Sequence, residues 1–583
     1  MNTLEQIKLS DVFTSVRKPK YILGTTYTLS LAFFESVLLQ YIDRSNLVSC
    51  LIVCDSIGYE RALTEGAALQ GAAQDYQVAR APVADCFHPK VWIIIGGEES
   101  VLLAGSGNLT QAGFVNNAEL FDAVRISAET PVSLQLLDSM RTFVGGLAQM
   151  WPNEDSKHLL CTETLGRIGE ALSMLPTSTA PQDEVRFLHS FRRSLLDQLP
   201  ETPNSRELYI ASPYFGGSLE GVNLLARKYS TAKLNIFPGV HEGRATDIPL
   251  SALSASYERI QVAPLAIPSK RESQFAHLKL YGVATSEEEA WLYCTSANCT
   301  KAAWSGPNVE AGLLRLVPRS LLSSYFAPAD AELPHENISY VQTGDAQDVL
   351  KIWALDYSTR LEIVVAEDCA NLLPLAEVRL TLRAGSNLAV CEKTILFGEG
   401  RSAHVDWSVF PDWHRRRKMT VCLEIEGKTT ADHFVRGRCF VENRLLLTAD
   451  PVHRSAWRGA LALLEEEGAP ELADIAALFS LARDVFNGTL ARMPKSSLAG
   501  KGDASKQQEE EEPVAVAVWP PQPDFRDLQR NIGSSAVGRL QWFQRIFQTF
   551  LDHDVKAENG AHQSQDAEGA DDESAERRRQ NER

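Results

Sequence analysis

The chain has 583 residues, 44% hydrophobic and 8% aromatic, enough apolar material for several cores and too much for a wholly disordered protein. Its 75 acidic against 57 basic residues give a formal charge of −18, which excludes coating of nucleic acid or anionic membrane by bulk charge. Residues 551–583 carry −5 of this and 501–512 carry −3, so the rest stands near −10 and any phosphate site must be a local basic patch.

The first residues, MNTLEQIKLSDVF, show no basic stretch followed by an apolar core and a small-residue cleavage site. No apolar run approaches the roughly 18 residues of a membrane span. The ten cysteines are scattered, without a CxxC pair or a Cys/His cluster at zinc-ligand spacing. A soluble, reduced, cytoplasmic protein is therefore expected, with no cofactor or metal, no membrane partner, and cysteines serving as small core residues.

In chain order, 21–55 reads as strand, turn, amphipathic helix, strand, and 207–239 reads the same way. Each then passes through a similar short segment, YQVARAPV at 76–83 and IQVAPLAI at 260–267, into a His-x-Lys element. The first copy continues CFHPKVWIII (86–95) and AGSGNLTQAGFVNNAEL (104–120). The second continues FAHLKLY (275–281) and CTSANCTKAAWSGPNVEAGL (294–313). His88 and Lys90 are two apart, as are His277 and Lys279; Lys to Ser is 16 against 17, and Asn to Glu is 11 against 12. Ser106 and Asn108, like Ser296 and Asn298, are again two apart. Such repetition marks a duplicated unit. Strand alternation would place His and Lys on one face, able to reach one phosphate together.

From about 340 to 450 the pattern changes to short alternating runs such as RLEIVVAED, VRLTLRA and KMTVCLEIEG, read as a β-sandwich-like domain. Residues 451–498 read as a helical segment and 499–523 as a flexible acidic linker. Residues 524–555 read as an amphipathic helix with Trp542, Phe543, Ile546, Phe547, Phe550 and Leu551 on one stripe, and 556–583 as a disordered tail. That stripe needs cover, either from the chain itself or from a protein partner.

The residues HxK…SxN, present twice, carry a resemblance to the phospholipase D superfamily over roughly 20–325. The second copy is similar to the tyrosyl-DNA phosphodiesterase branch and the first to nucleases attached to helicases and restriction systems. Where the superfamily usually has Asp five positions after the Lys, Ile95 and Ala284 stand here, a departure the tyrosyl-DNA branch shares and one that speaks against lipid cleavage. The resemblance implies an α/β fold of two repeats, 1–175 and 176–330, packed about a pseudo-twofold. It also implies a metal-independent phosphodiesterase, a nuclease on DNA acting through a phosphohistidine, in bacterial DNA defence or processing, with a helicase-like partner at the C-terminal helix. The alternatives are a phospholipid headgroup hydrolase or transferase, and an inactive scaffold that binds nucleic acid and recruits a partner.

Metal-free phosphodiester cleavage needs a nucleophile, an acid for the leaving oxygen, and donors around the developing charge. By the resemblance, His88 is the nucleophile and His277 the general acid/base; the residues alone do not distinguish them. Lys90 and Lys279 would hold non-bridging oxygens with amide donation from Asn108 and Asn298. Ser106 and Ser296 are expected as secondary substrate donors. Glu119 and Glu310 are expected to fix the histidine tautomers. Lys270 and Arg271 read as phosphate contacts or as a solvated loop. The HRRRK patch at 414–418 reads as a nucleic-acid contact or a turn, and Trp304 as core or as a base-stacking platform.

Overall fold

The computed structural model describes residues 9–65, 69, 71–157, 159–178, 185–202, 207–231, 233–241, 244–245, 248, 259–267, 274–329, 350–357, 360–384, 387–392, 401–410, 421–429 and 431–448. The expected C-terminal helices, linker and tail, with Lys270, Arg271 and the 414–418 patch, lie outside them. The class is mixed α/β, as expected. The first sheet contains β1 (Tyr21–Thr26), β2 (Ser49–Cys54), β3 (Gln77–Arg80), β4 (Val91–Ile95), β5 (Glu99–Gly105) and β6 (Phe121–Ser127), in the order β3-β2-β1-β4-β5-β6. Strands β1, β2 and β3 run parallel, and β4 enters antiparallel to β1.

The second sheet contains β7 (Val185–His189), β8 (Glu207–Ser212), β9 (Lys233–Pro238), β10 (Arg259–Val262), β11 (Leu280–Ala284), β12 (Glu289–Thr295) and β13 (Ala311–Pro318). Its order is β10-β9-β8-β11-β12-β13-β7, the first sheet's order with one strand added at the end. Sequence explains the central strands: VWIII of β4 is buried at every position, the mark of a strand covered on both faces. Opposite it, Gly24 pairs with Trp92, and a Cβ on Gly24 would lie 2.8 Å from the indole. Only glycine leaves room for that ring.

The two sheets are joined through a shared core. Ala311 and Leu313 of β13 pack with Leu102, Ala104, Phe143 and Phe187. Arg315 of β13 donates to Asp122 of β6 at 2.7 Å and to the Ala123 carbonyl at 2.9 Å. Both partners are largely buried, so loss of either would leave a desolvated charge.

The remaining described strands are β14 (Ile352–Asp356), β15 (Arg360–Val365), β16 (Ala376–Ala384), β17 (Asn387–Glu392), β18 (Ser402–Asp406), β19 (Val421–Lys428) and β20 (Phe434–Asn443). They make a seven-stranded array in the order β17-β16-β19-β20-β14-β15-β18. Along β19, Val421, Leu423 and Ile425 are buried and the residues between them are not, the period of two read from the sequence. Residues 434–440 of β20 pair with β19 and 441–443 with β14. One strand thus ties both groups of strands over a single core. This unit meets the first sheet's side through Tyr59, whose hydroxyl accepts from Phe440 N at 3.1 Å, and through Arg401 on Asp155 at 2.7 Å.

Candidate active site

His88 and Lys90 precede β4, and His277 and Lys279 precede β11, outside the named strands. The expectation of a sheet strand is corrected in a useful way: these lead-ins pair with the opposite half. His88 N donates to Val309 O at 2.9 Å and His277 N to Ala118 O at 3.0 Å. Val309 and Ala118 each directly precede a glutamate. Backbone pairing therefore delivers each histidine to the carboxylate of the other half.

His88 Nδ1 lies 2.9 Å from Glu310 Oε2, and His277 Nδ1 lies 2.7 Å from Glu119 Oε1. A buried carboxylate beside Nδ1 places the proton on Nδ1 and leaves Nε2 as the nitrogen available to react. For both glutamates burial pushes the carboxyl upward, but the adjacent histidine, lysine and serine outweigh it and hold it below the usual range. They are built to stay charged.

Ser106 and Ser296 are not placed as substrate donors, and the expectation for them is corrected. Ser106 Oγ donates to Glu119 Oε2 at 2.6 Å and accepts from Leu120 N at 3.0 Å. Ser296 Oγ donates to Glu310 Oε2 at 2.5 Å and accepts from Ala311 N at 3.0 Å. Both serines are fully buried. They brace the glutamates rather than touch the cleft.

Asn117 and Asn308, which the sequence reading passed over, complete the brace: their Nδ2 groups donate to Glu119 Oε1 and Glu310 Oε1, each at 3.3 Å. The signal was present as a repeated Asn-x-Glu. Ser190 adds a link on one side only, accepting from Glu310 N at 2.8 Å and donating to Asn308 O at 2.9 Å.

Lys90 and Lys279 are both fully buried, each donating to the carbonyl of its own histidine, at 2.7 and 3.1 Å. Burial, then the charge of Lys279, pushes Lys90 down to about 7; burial pushes Lys279 down to about 8. Burial also lowers His88 to about 4, against the pull of Glu310, and lowers His277, with Lys279 adding to the effect. The charge of Lys279 reaches His88 and that of Lys90 reaches His277, so the four cationisable groups share one site.

Asn108 follows β5, and its Oδ1 accepts from the backbone N–H groups of Tyr27 (3.3 Å) and Thr28 (3.4 Å), leaving Nδ2 to donate. Gly113 packs so closely on Asn108 that a Cβ there would lie 2.2 Å from its carbonyl oxygen. Asn298 follows β12 in the matching position. Tyr27 lies 5.3 Å from the His88 ring and 5.8 Å from Lys90 Nζ; Tyr214 and Phe275 lie 6.0 and 5.4 Å from the His277 ring.

Trp304 is fully buried, 4.7 Å from Tyr281 and 6.0 Å from Tyr293, so it is core and not a base platform. Trp92 and Trp291 are core, as expected. His404 and His433 are exposed. Cys50, Cys54, Cys161, Cys294, Cys299, Cys369 and Cys439 are buried, and among the described side chains no cysteine forms a disulfide. Among the described residues no cluster of three or more His, Cys, Asp or Glu side chains fits a metal ion, and no helix is long and apolar enough to cross a membrane.

The arrangement defines a site built from both halves, in which two histidines and two lysines lie near enough for their charges to interact and a buried carboxylate stands behind each imidazole. No family model and no curated protein matches the chain. Among solved structures it is similar to the yeast tyrosyl-DNA phosphodiesterase, at a TM-score of 0.38 and 16% identity over 53% of this chain and 85% of that one. NucT from Helicobacter pylori is similar at a TM-score of 0.17 and 16% identity, over 24% of this chain and 91% of that one.

Proposed function

We propose that this chain is a phosphodiesterase of phospholipase D type, its two repeats packed about a pseudo-twofold and its substrate DNA. The observation that carries the reading is the reciprocal histidine–glutamate pairing, in which the imidazole of each half is held at Nδ1 by a buried carboxylate of the other. The substrate class rests on the similarity of both motif copies to DNA-processing branches of that superfamily. The first and second repeats correspond to 1–175 and 176–330.

In this reading, neutral His88 attacks phosphorus through Nε2 while the bond to the leaving oxygen breaks and that oxygen takes the proton from Nε2 of His277. The low value of His88 favours the neutral nucleophile at ordinary pH. A bound phosphodiester opposes the burial and lysine repulsion that depress His277, and so restores its proton. Lys90, Lys279 and Asn108 hold the non-bridging oxygens. Water then attacks phosphorus, the pair of the P–N bond returns to His88, and His277 takes the water proton.

Purified protein in excess EDTA would be given single-stranded and duplex DNA, RNA, bis-p-nitrophenyl phosphate and phosphatidylcholine, with His88→Ala and His277→Ala as controls. DNA cleavage that persists in EDTA and disappears in both variants is expected. Binding without cleavage would replace this reading with a scaffold, and headgroup release from phosphatidylcholine with a lipid enzyme.

A further inference from the structure

The hydrogen bonding of the two halves matches closely until one residue. Thr26 Oγ1 accepts from Leu109 N at 2.9 Å and donates to Thr28 O at 2.8 Å. Ser212 Oγ accepts from Cys299 N at 3.0 Å and donates to Tyr214 O at 2.9 Å. Leu109 and Cys299 each directly follow the motif asparagine, so Thr26 corresponds to Ser212, Tyr27 to Pro213 and Thr28 to Tyr214.

That correspondence exposes a missing donor. Tyr27 N and Thr28 N both clamp Asn108 Oδ1. Pro213 has no N–H, and Tyr214 N donates to Ser212 Oγ at 3.4 Å. Asn298 Oδ1 is accordingly buried without a hydrogen-bond partner. No hydrogen bond holds that oxygen where it is, so a half-turn of the carboxamide, which hardly changes its shape, breaks none and exchanges Oδ1 with Nδ2. Asn108 has no such freedom: two N–H groups fix its oxygen, and it presents only Nδ2.

We propose that Pro213 frees Asn298 to act as a two-state amide. It donates through Nδ2 to the phosphoryl oxygen during attack, then accepts through Oδ1 from the water that resolves the phosphohistidine. This rests on the reaction proposed above and assigns its second step to the second half. In that step the water oxygen bonds to phosphorus as the P–Nε2 bond of His88 breaks, with its electron pair returning to His88. One water proton passes to Nε2 of His277, which gave its own to the leaving oxygen earlier. The other water hydrogen is held by Asn298 Oδ1. Asn298 thus positions the nucleophile of the second step, and Pro213 acts only through Asn298.

Pro213→Ala restores the N–H that Tyr27 provides in the first half and should lock Asn298 as a donor. With bis-p-nitrophenyl phosphate, the burst of nitrophenolate reports formation of the covalent species and the steady rate reports its hydrolysis. Pro213→Ala is expected to keep the burst rate within about 2-fold and to lower the steady rate about 10-fold or more, so that phosphoryl-protein accumulates on acid quench. Asn298→Asp, an acceptor only, should do the reverse and slow the burst more than the steady rate. A Pro213→Ala protein of unchanged Tm that slows both phases equally, or neither, would overturn the inference. If Pro213→Ala does not fold, the order of the two effects in Asn298→Asp decides. A wild-type protein that never forms phosphoryl-protein and never releases nitrophenolate would remove the reaction itself, whereas normal turnover with an unaffected Pro213→Ala variant removes only the role given to Asn298.

Discussion

Glu310→Gln tests the link between carboxylate and nucleophile most directly. Glu310 is fully buried and takes donors at both oxygens: His88 Nδ1 at 2.9 Å and Ser296 Oγ at 2.5 Å on Oε2, and Asn308 Nδ2 at 3.3 Å on Oε1. Glutamine keeps the shape but must turn its amide nitrogen toward one of these donors. Facing His88, it selects the wrong imidazole tautomer and puts the proton on Nε2, where the attack should begin; facing Asn308, it sets two donors against each other. Either placement also loses a charge-assisted hydrogen bond. Together these should remove roughly 2–4 kcal/mol of transition-state stabilisation, or about 30- to 10³-fold in kcat. Single-turnover cleavage of bis-p-nitrophenyl phosphate measures the first step, with Tm confirming that the fold survives. His88→Ala/Glu310→Gln should be no slower than His88→Ala, since the glutamate acts through the ring. A Glu310→Gln rate within 3-fold of wild type, or full additivity with His88→Ala, would refute the assignment.

Glu119→Gln perturbs His277, to which the proposed reaction assigns proton transfer, so its loss in kcat, about 10²-fold on a DNA substrate, should shrink for the burst on a p-nitrophenyl ester, whose leaving group needs no proton; an equal loss on both substrates would contradict this division of labour. The buried lysines predict that sulfate binds more tightly below pH 7 than above pH 8, with proton uptake in calorimetry, because free Lys90 and Lys279 lose charge near about 7 and 8. The stability of the ligand-free protein should move the other way. The unfolded chain holds lysine protons up to about 10.5 that the folded chain lacks, so these two groups make stability rise with pH between about 7 and 10.5. Sulfate affinity that is flat across that range, or unaltered in Lys90→Met, would count against the depressed values. Gly24→Ala should lower stability by about 1–3 kcal/mol through collision with Trp92 and show as a fall in Tm; an unchanged Tm would mean the indole moves freely.

Much of the site was readable because its chemistry is written twice. The paired His-x-Lys, Ser-x-Asn and Glu at matched intervals single out ten side chains that a single copy would have hidden among ordinary strand residues. The serines were misread because a hydroxyl inside such a motif looks like a substrate donor, and only the fold shows Ser106 and Ser296 turned back onto glutamates. Which carboxylate serves which imidazole could not be read, since it depends on backbone pairing between segments some two hundred positions apart. The Asn-x-Glu repeat and the Tyr27/Pro213 contrast were present in the letters, but nothing marks them until Thr26 and Ser212 fix the register. Alternation along β19 revealed the third unit's strands, while the turn of β20 from one group of strands to the other leaves no trace in hydropathy.

The crossed wiring of imidazole and carboxylate has a consequence for how the molecule fails. Because each ring is oriented by a residue belonging to the opposite half, separating the halves by even a few ångströms disables both reactive nitrogens at once, and no intermediate form retains one working side. Heat or denaturant should therefore extinguish turnover when the seam sealed by Arg315 and Asp122 parts, ahead of any melting of either sheet. Catalytic rate becomes a gauge of that seam.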